Sequence, residues 1–321
     1  MQEFFEKLTD NIKNHDRIIL MTHNIPDLDG MGSAIVFHEI LKKLGKESYI
    51  VAPKKLINNS LIKAIDYLDS NGEVIPFKYE KTIKDDNDLL IIFDVEESEI
   101  VEAPDLLDEI KDKIVIDHHT KGLNVISDTI LEYLDDKKSS TIEIVCEYLK
   151  YLDMKLDSKF YTIMLAGLYV DTNGFNLKTS SRTFEIASFL LENGADKQVE
   201  QSFLKISMES VLNMYSYIEK CVKLDKDVYL CTVDDKFCST VEIAIMANKI
   251  LKFEGVRIAF AIGMLSPSEV IISARSNGEV DVSKMMMKLG GGGHYSAAAA
   301  KVDSDNLEEV ISKLKSILKG E

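Results

Sequence analysis

His23, Asp27 and Asp29 fall within seven residues of one another in the stretch Thr22-His23-Asn24-Ile25-Pro26-Asp27-Leu28-Asp29-Gly30-Met31-Gly32-Ser33. One imidazole beside two carboxylates is a donor set suited to a divalent metal ion. The stretch follows the apolar run Ile18-Ile19-Leu20-Met21 and precedes an amphipathic segment over 34–44, so it reads as the turn between a strand and a helix. Pro26 fixes φ and cannot donate to a ladder, which takes the chain out of the strand, and Gly30 and Gly32 let backbone come close to whatever the turn holds. Asp27 and Asp29 are two apart, so an extended turn would send both side chains to one side. A plainer reading is also open, in which Asp29 or Ser33 simply caps the helix.

Three more positions repeat the chemistry. The apolar run from Asp88 to Phe93 ends in Asp94, Lys113-Ile114-Val115-Ile116 ends in Asp117-His118-His119, and a helical segment over 158–170 ends in Asp171 before an Asn173-Gly174 turn. The chain has six histidines, and four of them (His23, His118, His119, His294) lie in such motifs, leaving His15 and His38 as ordinary helix residues. Burying charge costs several kcal/mol unless it is paired or ligated, so Asp-His-His at a strand end has little structural use. Two imidazoles (His23, His118) and four carboxylates (Asp27, Asp29, Asp94, Asp171) suit two divalent ions. A carboxylate shared between the ions, for which Asp94 is the natural choice, would hold them about 3.5–4 Å apart, the spacing that activates a water against phosphorus.

The elements that would position these residues are legible in outline. A helix is expected over 1–16, strands over 17–22, 48–52, 88–93 and 113–116, and helices over 34–44, 60–68, 140–152, 158–170 and 181–191. Near-continuous apolar strands alternating with helices indicate a parallel sheet buried on both faces, with ligands beyond the carboxyl ends of its strands. Residues 197–220 read as a long mixed helical connector. Strands then recur at 228–233, 256–264, 269–275 and 295–302, with helices at 240–253, 281–289 and 306–319. The expected fold is α/β in two domains. A parallel-sheet domain with flanking helices covers 1–190, a helical connector 191–220, and a smaller α/β domain 221–321. Ser139-Ser140-Thr141 reads as a helix cap rather than a phosphate site, and Met285-Met286-Met287 as core filling.

Composition narrows the function. The length of 321 residues suits two domains. No apolar run reaches the roughly 18 residues of a membrane span, and no secretory signal is visible, so a cytoplasmic location without membrane association is expected. The four cysteines form no C-x-x-C pair and read as reduced thiols. From Lys220 onward 14 basic and 14 acidic residues balance, and the other 24 basic and 40 acidic residues carry the whole net charge of −16 in residues 1–219. So acidic a first part argues against long duplex nucleic acid, which needs many Lys and Arg on phosphates. It leaves room for small phosphorylated substrates, because bound divalent cations reverse the local potential. The only arginines are Arg17, Arg182, Arg257 and Arg275, which favours short substrates.

The order of these motifs resembles the DHH phosphoesterase superfamily, and within it the DHH–DHHA1 proteins of the nano-RNase/pAp-phosphatase type, relatives of RecJ. The matching residues are His23-x-x-Pro26-Asp27-x-Asp29-Gly30, Phe93-Asp94, Asp117-His118-His119, Asp171-Thr172, Ser273-x-Arg275-Ser276 and Gly290-Gly291-Gly292-Gly293-His294, which span almost the whole chain. The resemblance implies that His23 and Asp27 bind one metal and Asp29, His118 and Asp171 a second, with Asp94 bridging. It makes Asp117 the residue that orients an imidazole, and gives His119 contact with the scissile phosphate or protonation of the leaving oxygen. Arg275, Gly291, Gly292, Gly293 and His294 would hold the rest of the nucleotide, with the active site in the cleft between the domains. Manganese is the implied metal, two ions per site, with magnesium or cobalt as substitutes. One departure is visible: the family commonly places a Gly after the paired Ala that follows the loop, and here Ala297 to Ala300 run unbroken.

The function implied is hydrolysis of RNAs of two to five nucleotides, or of linear dinucleotides, to 5′-mononucleotides, with pAp as a further substrate. A homodimer is one assembly open to it. Cleavage of cyclic dinucleotides is an alternative, although the membrane-bound cyclic-di-AMP enzymes of the superfamily carry transmembrane and sensory segments that are absent here. Family II pyrophosphatases lack this glycine-His loop, and a processive RecJ-like exonuclease would need further nucleic-acid-binding domains. A non-catalytic nucleotide-binding module would be expected to have lost metal ligands, and all six are present.

Overall fold

The computed structural model describes residues 1–79, 87–119 and 124–319, with the side chains of Ser210 and His294 outside that description. The chain divides into Met1–Lys205 and Ile206–Glu321.

The first unit runs α1 (Gln2–Asn14), β1 (Arg17–Met21), α2 (Gly30–Lys43), β2 (Glu47–Val51), α3 (Asn59–Ser70), β3 (Phe77–Lys78), β4 (Asp88–Phe93), α4 (Asp105–Glu109), β5 (Asp112–Asp117), β6 (Leu131–Leu134), α5 (Thr141–Tyr151), α6 (Ser158–Asp171), α7 (Ser181–Glu192) and α8 (Lys197–Phe203). Its strands form a parallel sheet in the order β3-β2-β1-β4-β5-β6. Alternate strand residues go to opposite faces. Ile18, Leu20, Leu89, Ile91, Phe93, Ile114 and Ile116 pack with the main helices, while Ile19, Met21, Leu90, Ile92 and Val115 pack with Val101, Leu106 and Ile110. The apolar runs are continuous because both faces are covered. Phe93 is fully buried beside Phe37 (centroids 5.1 Å apart), so Phe93→Ala should cost about 3–5 kcal/mol. At the amino ends Arg17 donates through Nε and Nη2 to the buried Asp88 (2.9 and 2.7 Å), pinning β1 to β4.

Strand order fixes where a ligand can sit. The chain goes from β1 to β2 on one side and returns to β4 on the other, so the crevice beyond β1 and β4 is a topological switch point. His23 follows β1, Asp94 follows β4, and Asp117 ends β5, the next strand across.

The second unit runs α9 (Met208–Ile218), β7 (Val222–Asp225), β8 (Val228–Val233), α10 (Thr240–Leu251), β9 (Ile258–Ser266), β10 (Glu269–Ser276), α11 (Val282–Met287), β11 (Gly292–His294), β12 (Ala297–Asp303) and α12 (Leu307–Lys319). The sheet order is β11-β12-β10-β9-β8-β7, with β8 and β9 parallel and the other pairs antiparallel. Ile258, Phe260, Ile262, Val270, Ile272 and Ala274 face α11 and α12, whereas Ala259, Ala261 and Ile271 face α9 and α10.

Several expectations need adjusting. The helix expected from residue 34 begins at Gly30, so Gly30 and Gly32 lie in its first turn rather than in the loop. A Cβ on Gly30 would collide with Thr22 Oγ1, which is why the helix can start so close to β1 only with glycine there. The stretch expected as one connector over 197–220 is two helices, α8 in the first unit and α9 in the second. The glycine loop is partly strand: Gly292, Gly293 and His294 pair with Ala299, Ala298 and Ala297. Ser140 does cap α5, accepting from Glu143 N (3.1 Å), and Met286 is core while Met287 is exposed. The cysteines are free thiols, and among the described residues no helix is long and apolar enough to cross a membrane.

Candidate metal centre

Beyond the carboxyl ends of β1, β4 and β5, the structure gathers the residues singled out by motif. Three groups of ligand atoms form, His23 with Asp27 and Asp94, Asp29 with His118 and Asp171, and Asp94 with Asp117, His118 and His119, each with its atoms within 4.8 Å of one another. Asp94 lies against the histidines of the first two. Its Oδ2 lies 3.6 Å from His23 Nε2, and its Oδ1 lies 3.4 Å from His118 Nε2. His118 Nε2 also lies 3.2 Å from Asp171 Oδ2 and 3.8 Å from Asp29 Oδ2, and His23 Nε2 lies 3.9 Å from Asp27 Oδ1. Asp94 leaves its strand in the left-handed region (φ 62°), a conformation that Asp tolerates better than most residues.

Each ligand is oriented by the chain around it. Asp27 Oδ1 accepts from the N–H groups of Asp29 and Gly30 (2.9 and 3.0 Å), closing the turn. Asp29 stands at the N-cap position of α2, yet its side chain does not cap that helix. Instead its two oxygens accept from Thr141 N (2.7 Å) and Ile142 N (2.9 Å), at the positive end of α5. Thr141 Oγ1 donates to Asp94 (3.1 Å). His118 donates from Nδ1 to the Lys138 carbonyl (3.3 Å), which leaves Nε2 as the acceptor nitrogen, buried and without a hydrogen-bond partner among the carboxylates. Asp117, a member of the four-residue group only, is committed to neighbouring donors. Its Oδ1 accepts from His118 N, His119 N and His119 Nδ1 (2.7, 3.2 and 2.7 Å) and so fixes the His119 ring. The other histidines have structural bonds, His15 to Asp112 (3.0 Å) and His38 to Ser48 (2.7 Å).

Electrostatics mark the cluster as short of positive charge. Burial and the charges of Asp94, Asp171 and Asp27 push Asp29 well above the usual carboxylate range. Burial, against the neighbouring His118 and with the charges of Asp94 and Asp27, pushes Asp171 up to about 6. Burial would raise Asp94, but the close approach of the His118 and His23 imidazoles holds it well below the usual range. Burial would lower His119, yet the Asp117 hydrogen bond and the surrounding carboxylates push it up to about 9. A bare imidazole nitrogen facing three carboxylates is a poor hydrogen-bonding site and a good metal site, so the donor set fits divalent cations. Sequence reading missed Thr141 and Lys138. Thr141 was visible only as part of a cap, and Lys138 acts through its carbonyl, for which residue type gives no signal.

In the second unit, Arg275 is half-buried on the α10 face of its sheet. It donates from Nε to Asn248 Oδ1 (2.8 Å), and from Nη1 to Ser273 Oγ (2.9 Å) and the Ala274 carbonyl (2.9 Å). Arg17, Arg182 and Arg257 are paired with Asp88, Glu147 and Asp227, whereas among the described residues no carboxylate pairs with Arg275. Gly290 (φ 80°), Gly291, Ser273 and Arg275 line one cavity of about 530 Å³. A Cβ on Gly291 would collide with the Ala299 carbonyl, and one on Gly293 would come within 2.6 Å of Ala298 Cα, so both glycines serve the close pairing with β12. Gly292 has open space around it, and the His294 side chain lies outside the described residues.

The sequence matches the family model of the DHH family, N-terminal domain, over residues 17–168, and that of the DHHA1 domain over 225–320. The cyclic-di-AMP phosphodiesterase GdpP of Bacillus subtilis is 32% identical over 317 residues, which are 96% of this chain and 48% of that protein. The bifunctional oligoribonuclease and PAP phosphatase NrnA of Thermus thermophilus is 25% identical, over 92% of this chain and 87% of that protein. The chain thus spans about half the length of the first of these relatives. Among solved structures, an exopolyphosphatase-related protein from Bacteroides fragilis shares the fold at a TM-score of 0.84 and 18% identity, covering 100% of this chain and 96% of that one. RecJ of Thermus thermophilus, solved with Mn2+, does so at 0.59 and 13%, covering 100% and 55%.

Proposed function

We propose, on the premise that the chain belongs to the DHH–DHHA1 phosphoesterase superfamily and is a hydrolase, that it is a manganese-dependent phosphodiesterase of very short nucleotide chains. It cleaves RNAs of two to five nucleotides and linear dinucleotides to 5′-mononucleotides, and removes the 3′-phosphate of pAp. The observation that carries the chemistry is Asp94, reaching both histidine–carboxylate groups. His23, Asp27 and Asp94 would hold one ion, and Asp29, His118 and Asp171 the other, with Asp94 shared. When bound, such a pair supplies an activated water and neutralises charge developing on the phosphoryl oxygens.

The chain's own residues do the rest. The Lys138 carbonyl and the α5 amino end keep His118 and Asp29 aimed before substrate arrives. Asp117 holds the His119 ring by Nδ1, and Nε2 touches the scissile phosphate or protonates the departing oxygen. Arg275, whose charge no carboxylate among the described residues neutralises, grips a phosphate of the remaining nucleotide, and the hairpin from Gly291 through Gly292 and Gly293 to His294 lies beside that grip. One unpaired arginine supports short substrates, and the acidic first unit disfavours long duplexes.

A second reading, opening of cyclic di-AMP, is favoured by one observation: the relatives from Bacillus subtilis and Listeria monocytogenes, 32% and 30% identical, are cyclic-di-AMP phosphodiesterases. Incubation with Mn2+ and a panel of pApA, pGpG, two- to five-nucleotide RNAs, pAp, cyclic di-AMP and pyrophosphate, followed by chromatography, separates the readings. The proposal expects mononucleotide release from linear dinucleotides to outpace opening of the cyclic molecule. The reverse order supports the second reading. Absence of any product would leave a nucleotide-binding module.

A further inference from the structure

Directly after Asp171 the chain turns through several residues in the left-handed region, Asn173 (φ 47°), Gly174 (69°), Phe175 (64°) and Lys178 (44°). A ring-bearing residue seldom adopts this conformation, and backbone strain of this kind collects at functional sites. The turn is firmly held. Thr172 Oγ1 accepts from Phe175 N (3.0 Å), and the Thr172 carbonyl accepts from Asn176 N and Leu177 N (2.9 Å each). The strain places the Phe175 ring edge-on to Tyr169 (5.7 Å, 89°) and stacked on Phe184 of α7 (5.4 Å, 29°). Phe175 packs against the core, whereas Phe184 is 55% exposed and is not core.

The two rings wall a cavity of about 610 Å³, large enough for a nucleotide, whose rim carries Lys137 and Lys178 against one carboxylate, Asp136. That balance of charge is unusual in the acidic part of the chain. Both walls run into the metal centre through the backbone: Asp171 precedes the strained turn, and Lys137 precedes Lys138, whose carbonyl accepts from His118.

We infer that this cavity is a base-stacking subsite. The exposed face of Phe184 takes the flat face of a nucleobase of the same chain whose phosphodiester lies at the metal centre, and Lys137 and Lys178 face that nucleotide's phosphate. The occupant is a nucleobase rather than a generic apolar group, because an aromatic platform flanked by cations suits a π-face joined to an anion. The inference takes its substrate from the phosphodiesterase reading, but none of its residues is a proposed metal ligand.

The chain contains no tryptophan, so Phe184→Trp installs a single fluorescent reporter at the platform. In the full chain without metal, AMP and pApA should quench that fluorescence saturably, and ribose 5-phosphate should not. In the metal-loaded protein, Phe184→Ala should raise KM for the dinucleotide by roughly five- to a hundredfold with kcat little changed. No quench by either nucleotide, or an equal quench by ribose 5-phosphate, overturns the subsite, as does a signal that follows protein concentration instead of nucleotide, which would mark a contact between chains. Quenching without hydrolysis would retain the subsite and remove the phosphodiesterase reading, whereas hydrolysis without quenching or a KM change would remove the subsite alone.

Discussion

In the first unit His118 is surrounded by three carboxylates at 3.2–3.8 Å, whereas in the second the half-buried Arg275 lies among neutral acceptors, with no carboxylate paired to it among the described residues. The two regions carry opposite imbalances. The first has more acid than its imidazoles can neutralise, and burial has pushed Asp29 and Asp171 upward in consequence. In the second, burial lowers the guanidinium of Arg275 from its ordinary value. An excess of buried acceptors calls for cations, and a half-buried guanidinium without a carboxylate partner calls for an anion. A metal-dependent enzyme for a phosphorylated substrate needs both.

The comparison breaks first at Asp94. Asp94→Ala should lower turnover by several orders of magnitude and reduce metal content, because the proposed ions would lose the ligand they share. Near-normal activity with two bound ions would remove the bridge. Next, the adjacent histidines should separate. His118→Ala should lose metal, while His119→Ala should keep it and turn over slowly, as measured by metal content beside kcat. Equal metal loss in both would put His119 among the ligands.

A smaller effect is expected in the second unit. Losing a charge-assisted bond costs about 1.5–3 kcal/mol, so Arg275→Ala should lower kcat/KM for a dinucleotide by roughly tenfold to a hundredfold. Bis-p-nitrophenyl phosphate, too small to need that grip, should be cleaved as before. Equal losses on both substrates would make Arg275 structural.

The smallest effect concerns stability without metal. Asp171 at about 6 and His119 at about 9 both bind protons more tightly folded than unfolded. Their contributions are therefore largest at low pH. That of Asp171 is lost as pH rises from about 4 to 6, and that of His119 is lost from about 6.5 to 9. The Tm of the metal-free protein should fall from about pH 5 to 9, and Mn2+ should flatten the decline. A Tm that rises across this range would contradict the charge imbalance.

Much of this was legible before the structure, for reasons that differ by region. The metal residues stood out because Asp and His closed apolar runs, where the sheet offers them no structural use. The glycines at 290–293 stood out equally, yet Gly291 and Gly293 have a packing reason in the approach of β12. Short edge strands such as β3, β6 and β7 were invisible because each is brief and mostly half-exposed or exposed, with no periodicity to read. Phe175 and Phe184 are joined only by the strained turn and α7, which no local pattern announces.

The central claim is a pair of ions sharing Asp94, and electron paramagnetic resonance of the protein titrated with Mn2+ tests it most directly. Two ions per chain with an exchange-coupled spectrum, reduced to uncoupled signal in Asp94→Ala, is the predicted result. Saturation at one ion, or two ions that never couple, would contradict it.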